Sequence, residues 1–518
     1  RILGIIMSHI FLYGSSGTGK STIGKVLARN LNLPFVDLDH VVESAAGMSV
    51  SQIMGQQGET AFRDLETAAL KSITAERKSV VALGGGALLR EGNRAWAESH
   101  GTVVLLSAEL TTLLGRLQNE SDTRPLLAGN LRGKLTSLLD QRREHYASFA
   151  IQCGVDGKTP MQNAEQIQVR LGRFHLHAMG NYDALTANVE QVGDLLQERR
   201  LQNPIVVTDE NVAKFHAKSV MDSLRRAGFS PRILTIPAGE AYKSLETIQK
   251  LWHGFLEHGL DRKSTVVALG GGVIGDLAGF AAATYMRGIS WICVPTTLLA
   301  MVDASLGGKT GFDLPEGKNL IGSFYPPKLV LADPQLLSTL PERELVSGLA
   351  EVVKHGIISD PELFDLCARG LKSVKDDLEQ IVKRAMAVKI KVIEEDPYER
   401  GFRAALNLGH TVGHAVELVS RFRLRHGEAI AIGMAAEAKL AERLAVAGPG
   451  LSDTIREVLR KLGLPVRIPQ ELPRPEIIAA MRVDKKKNAK AIRFALPAEI
   501  GKVELVDVTD LEMVLEES

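Results

Sequence analysis

IFLYGSSGTGKSTIGKVLARNL, residues Ile10–Leu31, passes from an apolar run through a glycine-rich turn into an apolar-periodic stretch. Ile10 to Tyr13 reads as a short buried strand and Thr22 to Leu31 as a helix. Between them, Gly14-Ser15-Ser16-Gly17-Thr18-Gly19-Lys20-Ser21 is GxxxxGKS in the strand, loop and helix context that this motif requires. Its glycines let backbone N–H groups point inward around phosphate oxygens, the helix N-terminus adds its dipole, and Lys20 supplies a cation. Ser21 is placed to hold Mg²⁺. The rival reading is a plain glycine turn.

Outward from this loop, Pro34 to Val36 is a second strand, followed by Asp37 and Asp39 on one side of its end, where Mg²⁺ and a polyhydroxy acceptor would lie. Phe62-Arg63-Asp64-Leu65-Glu66 sits on a helix. Val80 to Leu83 is a third strand, and Gly84, Gly85 and Gly86 let a ligand approach the backbone. Arg124-Pro125-Leu126-Leu127, in a polar loop, suits a mobile lid that brings a guanidinium to a transferring phosphate, and Arg142 follows on the next helix. Each arginine taken singly also fits a solvated surface charge.

GSSGTGKS, FVDLDHVVE, FRDLE, LGGGA and RPLLAG, in this order from Met7 to about Arg170, resemble shikimate kinase. The loop alone is equally similar to gluconate kinases, so the downstream motifs decide. The resemblance implies ATP and Mg²⁺ at the loop residues Gly14 to Ser21, with Asp37 near the metal. Asp39 would meet the shikimate hydroxyls, Arg63 and Arg142 the carboxylate beside the Gly84–Gly86 loop, and Arg124 would be the lid arginine.

The chain has 518 residues, too long for one core. Its 62 lysines and arginines nearly cancel 61 aspartates and glutamates, so no global field draws it to nucleic acid or an anionic membrane. Cys153, Cys293 and Cys367 are far apart with no CxxC pair, which fits a reducing cytosol and gives no thiolate zinc site. The opening RILGIIM is too short to span a bilayer, and Met7 reads as the natural start. Gln152 to Gln168 has weak periodicity with Gly154, Gly157 and Pro160, and reads as the end of the kinase and a short link.

A new strand is expected from Arg173, a helix over Asp183 to Leu201, and strands at Pro204–Thr208 and Pro231–Ile236. Val266 to Leu269 is a buried strand that meets Gly270-Gly271-Gly272-Val273-Ile274-Gly275-Asp276 before a small-residue helix, Leu277 to Tyr285. A glycine cluster there admits a dinucleotide pyrophosphate to a helix N-terminus, although this is not the usual G-x-G-x-x-G spacing. Trp291 to Val294 is a further strand, ending in Pro295-Thr296-Thr297. From Met301 polar groups are dense, and Lys309 and Lys318 among glycines suggest a substrate-phosphate site, against exposed loop lysines. After Pro334 the pattern is helical to near the end.

Within Arg403–Glu428, RAALNLGHTVGHAVELVSRFRLRHGE, His410 and His414 share a helix face if Asn407 to Val419 is helical, and His426 follows where that helix ends. Any one of these fits a satisfied histidine. Three of them with Glu428 and the upstream Glu351 point instead to a zinc-type ion. Glu351 with His410 and His426 leaves a coordination position free for substrate, and Lys354 lies one turn from Glu351.

GEAYKS, GGGVIGD, TTLLAMVDASLGGKTG, GKNLIG, LPERE, GLAEVVKHG, LNLGHTVGHA and HGE together resemble 3-dehydroquinate synthase, from about Arg173 onward. The resemblance implies NAD at Asp209, Glu240, Lys243, Gly271, Gly272, Val273, Gly275, Asp276, Thr296 and Thr297, with Lys309 and Lys318 bordering it. It implies Zn²⁺ or Co²⁺ at Glu351, His410 and His426, with His414 left for proton transfer or contact with the substrate phosphate. Asp303, Lys309, Asn319, Lys354, Lys389, Arg403 and Asn407 match substrate residues, Arg287 and Lys318 the phosphate rim, and Asp484-Lys485-Lys486 a late phosphate segment whose register Lys487 blurs.

The implied reaction oxidises a secondary hydroxyl of a seven-carbon sugar acid phosphate, eliminates phosphate, returns the hydride and closes the ring by aldol addition. NAD is therefore not consumed. The expected fold is α/β throughout: a P-loop kinase domain over 7–168, with helices on both faces of a parallel sheet; a Rossmann-like NAD-binding domain over 173–335; and a mostly helical metal-binding domain over 336–518. Expected partners are shikimate, ATP and a heptulosonate phosphate, with a homodimer through the synthase part. Other sugar phosphate cyclases and metal-dependent polyol dehydrogenases are rival readings, as is a non-catalytic regulatory half.

Overall fold

Apolar residues fill both faces of the first strands, which is the pattern of a parallel sheet covered on each side. In β1 (His9–Tyr13), Ile10 and Leu12 pack with Ile23, Leu27 and Ile167, whereas Phe11 and Tyr13 pack with Leu38, Val42 and Ile53. The computed structural model describes residues 8–74, 78–118, 130–399, 401–483 and 491–515. Arg124 with its lid loop, Asp484 to Lys487, and Met7 lie outside them.

The chain forms two compact units, 1–175 and 176–518. In the first, β2 (Phe35–Asp37), β3 (Val80–Ala82), β1, β4 (Gly101–Ser107) and β5 (Ile151–Gly154) lie in the order β2-β3-β1-β4-β5, all parallel. The stretch Gln152–Gln168 is no link. It contains most of β5 and of the helix Pro160–Leu171, opened by a Thr159–Gln162 capping box with proline at its first position. The glycines and proline that suggested a link mark the turn between these two elements.

β6 (Arg173–Leu176) spans the division between the units. The second unit has β7 (Tyr182–Thr186), β8 (Gln202–Asp209), β9 (Arg232–Ile236), β10 (Ser264–Gly270), β11 (Ser290–Pro295) and the hairpin β12 (Lys309–Leu314) with β13 (Gly317–Phe324). It continues with β14 (Leu329–Ala332) and a late hairpin, β15 (Ile492–Glu499) with β16 (Lys502–Val508). The parallel sheet runs β7-β14-β11-β10-β8-β9.

The helix expected over Asp183–Leu201 is corrected here. Tyr182–Thr186 is strand β7, paired with β14, and the α-helix covers only Val192–Glu198. Alanine, leucine and aspartate at 183–185 carry helical or neutral propensity, which tertiary pairing overrides. The late hairpin likewise interrupts the helical pattern expected to near the end. The helix after the glycine cluster starts at Gly272, not Leu277, and runs to Thr284.

Helices Glu342–Ser359, Leu378–Glu395, His410–Val419 and His426–Arg443 form the layer that carries the ionisable residues. No described helix is long and apolar enough to cross a membrane.

Two candidate active sites

In the first unit, β1 delivers the chain into the loop at Gly14, where an added Cβ would sit 2.2 Å from Leu106 O, so no larger residue fits. Gly17 and Gly19 take left-handed φ values of 85° and 88°. The helix Lys20–Asn30 then starts with no side-chain cap, leaving its N–H groups facing the loop. Lys20 Nζ donates to Gly14 O at 2.8 Å and to Ser15 O at 2.9 Å, folding over the loop. Ser21 Oγ donates to Asp37 Oδ2 at 2.6 Å, which unites the two residues expected at Mg²⁺.

The acceptor side gathers around Gly84–Gly86. An added Cβ would lie 3.2 Å from Asp39 Oδ1 at Gly84, 3.5 Å from Ser16 N at Gly85 and 2.5 Å from Arg63 Nη2 at Gly86. Arg142, 9% exposed, donates to Gly85 O at 2.6 Å. Three residues not anticipated at a site join the acceptor side or the loop. Tyr146 donates to Gly85 O at 3.1 Å, Arg116 to Gly17 O at 3.1 Å, and the buried Glu66 holds Arg63 at 2.7 Å. Burial pushes the Glu66 carboxyl above its usual range, against the pull of Arg63. A glycine loop with inward N–H groups beside two guanidiniums and a carboxylate fits polyphosphate next to a small hydroxy acid.

In the second unit the residues expected at NAD stand at the carboxyl ends of the strands β8, β10 and β11. Asp209 ends β8 and accepts from Asn211 N and Val212 N. At the end of β10, Gly271 is the uncapped N-terminus of the helix Gly272–Thr284, so Val273, Gly275 and Asp276 belong to its first turns. A Cβ on Gly271 would approach Thr297 to 3.1 Å, and Thr296 N donates to Gly270 O at 2.9 Å. Lys243, 5% exposed, meets Asp276 at 2.7 Å and contacts Asn319, tying β13 to this end of the strands. Burial raises the Asp276 carboxyl, against the pull of Lys243. An uncapped helix end with bare glycines is a cradle that fits a dinucleotide pyrophosphate.

Glu351, fully buried on helix Glu342–Ser359, faces two imidazoles. Its Oε1 is 3.5 Å from His410 Nε2 and 3.4 Å from His426 Nε2, and Lys354 contacts its Oε2. The ligand atoms lie within 4.8 Å of one another. His410 Nδ1 is 3.1 Å from Leu408 O, and a carbonyl only accepts, so Nδ1 carries the hydrogen and Nε2 the free lone pair. His426 Nδ1 stands likewise 3.4 Å from Glu417 Oε2. Neither Glu351 oxygen accepts a hydrogen bond of normal geometry from the described residues. A buried carboxylate and two inward lone pairs fit a tetrahedral divalent cation with one position open.

Burial opposes ionisation of Glu351, but Lys354 and the two imidazoles outweigh it and hold the carboxyl well below its usual range. Burial, reinforced by Lys354, holds His410 well below the usual imidazole range. For His426 burial is outweighed by Glu351 and Glu417, which lift it to about 9. Asp303 pairs with Lys389 at 2.6 Å, beside the wholly buried His355 at 3.9 Å. Burial works to raise the Asp303 carboxyl, and Lys389 and Lys354 hold it well below its usual range. Burial lowers Lys389 against Asp303.

Other expected residues lie around these ligands or away from them. His414 is exposed, its ring 5.0 Å from that of His410 and outside the ligand set. Asn407 is exposed at the end of the 3₁₀ turn Phe402–Asn407. Glu428 is no ligand, because it caps its own helix through Arg425 N and pairs with Arg343 at 3.0 Å. Arg287 lies beside Asp261, Arg262 and Lys263, which precede β10, and therefore toward the opposite end of that strand from Gly271. β10 alone spans about 20 Å.

Two further carboxylates enter the site. Glu399 contacts Lys309 and lies 3.2 Å from Arg403 Nε; it is four residues from Arg403 in sequence, but nothing there linked it to Lys309. Glu417 pairs with Lys318 at 3.2 Å. Its spacing of seven from His410 and three from His414 placed it on their face, a legible signal.

Comparison with known proteins agrees with both halves. The shikimate kinase family profile matches residues 16–171, and those of the 3-dehydroquinate synthase N-terminal and C-terminal regions match 233–347 and 348–487. The 3-dehydroquinate synthase of Rippkaea orientalis is 43% identical over 348 residues, covering 65% of this chain and 94% of that protein. That of Nostoc sp. is 46% identical over 329 residues, covering 62% and 91%. A solved 2-deoxy-scyllo-inosose synthase complexed with carbaglucose-6-phosphate, NAD⁺ and Co²⁺ is 29% identical with TM-score 0.61, over 66% of this chain and 98% of its own. Identity is thus higher to the dehydroquinate synthases than to this other cyclase. The chain is an enzyme with two activities, ATP-dependent phosphorylation of shikimate and the phosphate-releasing cyclisation of 3-deoxy-arabino-heptulosonate 7-phosphate to 3-dehydroquinate. It belongs to the 3-dehydroquinate synthase family, with a shikimate kinase domain joined ahead of it in the same polypeptide.

Proposed function

We propose that the residues gathered in each unit carry its reaction. The observation that supports this best is the convergence of His410 Nε2 and His426 Nε2 on one oxygen of the buried Glu351, beside Lys354 and the Asp303–Lys389 pair. These three ligands would hold Zn²⁺ or Co²⁺, and the helix end at Gly271–Asp276 with Asp209, Glu240, Lys243, Thr296 and Thr297 would hold NAD. When bound, NAD supplies hydride acceptance and return, and the divalent cation supplies a lowered pKa for the reacting hydroxyl.

The chain's own residues do the rest. Lys309, Lys318, Asn319, Arg403 and Asn407 bind the phosphate and acid ends. Glu399, which neutralises Lys309 and Arg403, is displaced as the dianion arrives. Lys354, Asp303 and Lys389 form a buried relay that holds or moves a proton, and stabilises oxyanions as charge develops. His414, exposed beside the centre, is placed to exchange a proton with the leaving phosphate.

In the kinase unit, Lys20 and the loop N–H groups clamp the β- and γ-phosphates, and Ser21 and Asp37 hold Mg²⁺. Asp39 takes the acceptor hydroxyl, Arg63 and Arg142 orient the carboxylate, and Arg124, outside the described residues, would supply a guanidinium to the phosphates. A homodimer through the synthase part is the route by which Arg287 of a second copy would reach a phosphate. A reducing cytosol suits the three buried free thiols. The domain limits proposed are 7–168, 173–335 and 336–518, the first extended to Leu171 by its last helix.

The test is phosphate release from 3-deoxy-arabino-heptulosonate 7-phosphate, with and without added NAD and chelator. Release that the chelator stops and Zn²⁺ or Co²⁺ restores is expected, with kinase activity retained when Mg²⁺ is supplied. Chelator-resistant release refutes the metal assignment.

A further inference from the structure

Glu417 touches both the candidate metal centre and the candidate phosphate site. Two turns along helix His410–Val419 from His410, its side chain is 10% exposed. Oε2 stands 3.4 Å from His426 Nδ1, and Oε1 stands 3.2 Å from Lys318 Nζ on β13. Lys318 is also 3.4 Å from Glu240 Oε1, and its ammonium lies 4.4 Å from the centre of the Phe422 ring. The two ligand histidines are therefore held differently. His410 donates to a fixed backbone carbonyl, whereas His426 donates to a charge that it shares with a lysine.

We propose that Glu417 is a positioning residue that couples the metal centre to Lys318, an inference that rests on the reading of Glu351, His410 and His426 as ligands. A carboxylate hydrogen-bonded to the far nitrogen of a ligand histidine fixes its tautomer and raises its basicity as a donor. Lys318 draws part of that charge away. When a phosphate dianion takes Lys318, the carboxylate turns wholly to His426 and the cation is held more tightly. By reciprocity, a bound cation draws Glu417 toward His426 and releases Lys318 for the phosphate.

The test is a double-mutant cycle on zinc affinity, measured in the full-length protein by competition with a chromophoric chelator. The proteins are wild type, Glu417→Gln, Lys318→Met, the double variant and His426→Ala. Glu417→Gln is expected to weaken zinc by about tenfold or more, within the usual range for such partners. Lys318→Met is expected to tighten it several-fold in the wild-type background and leave it unchanged beside Glu417→Gln. A merely structural role for either residue would not produce tightening. Unchanged or weaker zinc binding in Lys318→Met overturns the coupling, however Glu417→Gln folds, as does an equal Lys318→Met effect in both backgrounds. Undiminished zinc binding in His426→Ala instead overturns the ligand assignment beneath it.

Discussion

Gly433→Ala should damage the synthase site without touching any ionisable group. Gly433 lies on helix His426–Arg443 and faces the N-terminus of helix His410–Val419. A Cβ there would sit 1.9 Å from Gly409 O and 2.9 Å from Gly413 N. An ordinary carbon–oxygen contact needs more than 3 Å, so the two helices must part by about 1 Å or more. Gly409 immediately precedes His410, and His426 starts the other helix, so this movement carries the two imidazoles apart. Zinc–nitrogen bonds tolerate errors of about 0.2 Å, and losing even the hydrogen-bond partner of a ligand costs roughly 10–100-fold in metal affinity, so displacing the ligands themselves should cost at least as much. Overpacking of this kind costs about 1–3 kcal/mol, which lowers the melting temperature of a unit this size by roughly 1–4 °C. The assay is zinc affinity by chelator competition and a thermal melt, with shikimate kinase activity of the same sample as the control for an intact first unit. A variant with wild-type zinc affinity and melting point would refute the argument that glycine contact between these helices sets the ligand geometry.

Lys20→Met should lower kinase turnover at least about a hundredfold, read as ADP release, because the cation over the phosphates is lost. Synthase turnover should stay unchanged, and a fall would revive the rival reading in which one half regulates the other. Lys243→Met leaves the half-buried Asp276 without its 2.7 Å partner, which should destabilise the second unit by about 1–3 kcal/mol and loosen NAD, followed by nicotinamide retention on gel filtration. Acid should weaken the first unit through His9, which is 1% exposed and bonded to Ser79 and Thr74. Burial holds its pKa below the ordinary 6.5, so the unfolded chain takes up the proton first. The stability is full above pH 6.5 and is lost as pH falls through the window below it. His9→Gln should flatten that slope in urea titrations at pH 5 and 7, and an unchanged slope would assign the loss to other groups.

Much of this molecule is legible in order along the chain. GSSGTGKS carries its strand and helix with it, because glycine φ freedom and the absence of a cap are local properties. GGGVIGD does the same at β10. His410 and His414 declared a shared face through helical spacing alone, and Glu417 extends that face by two turns from His410. The free thiols and balanced charge are likewise sequence facts.

Other features depend on residues far apart in sequence meeting in space. Tyr182–Thr186 is a strand because β14 accepts it, some 145 residues later. Glu399 closes on Lys309 across 90 residues, and Glu428, near the ligands in sequence, is turned away to Arg343. His414 lies beside the ligand set without joining it, since Glu351 reaches only the nitrogens that helix packing presents to it. The sequence determined which chemical groups are present and which local turns can hold phosphate. Tertiary packing decided which charges share a dry pocket, because burial and pairing exist only once separate helices are pressed together.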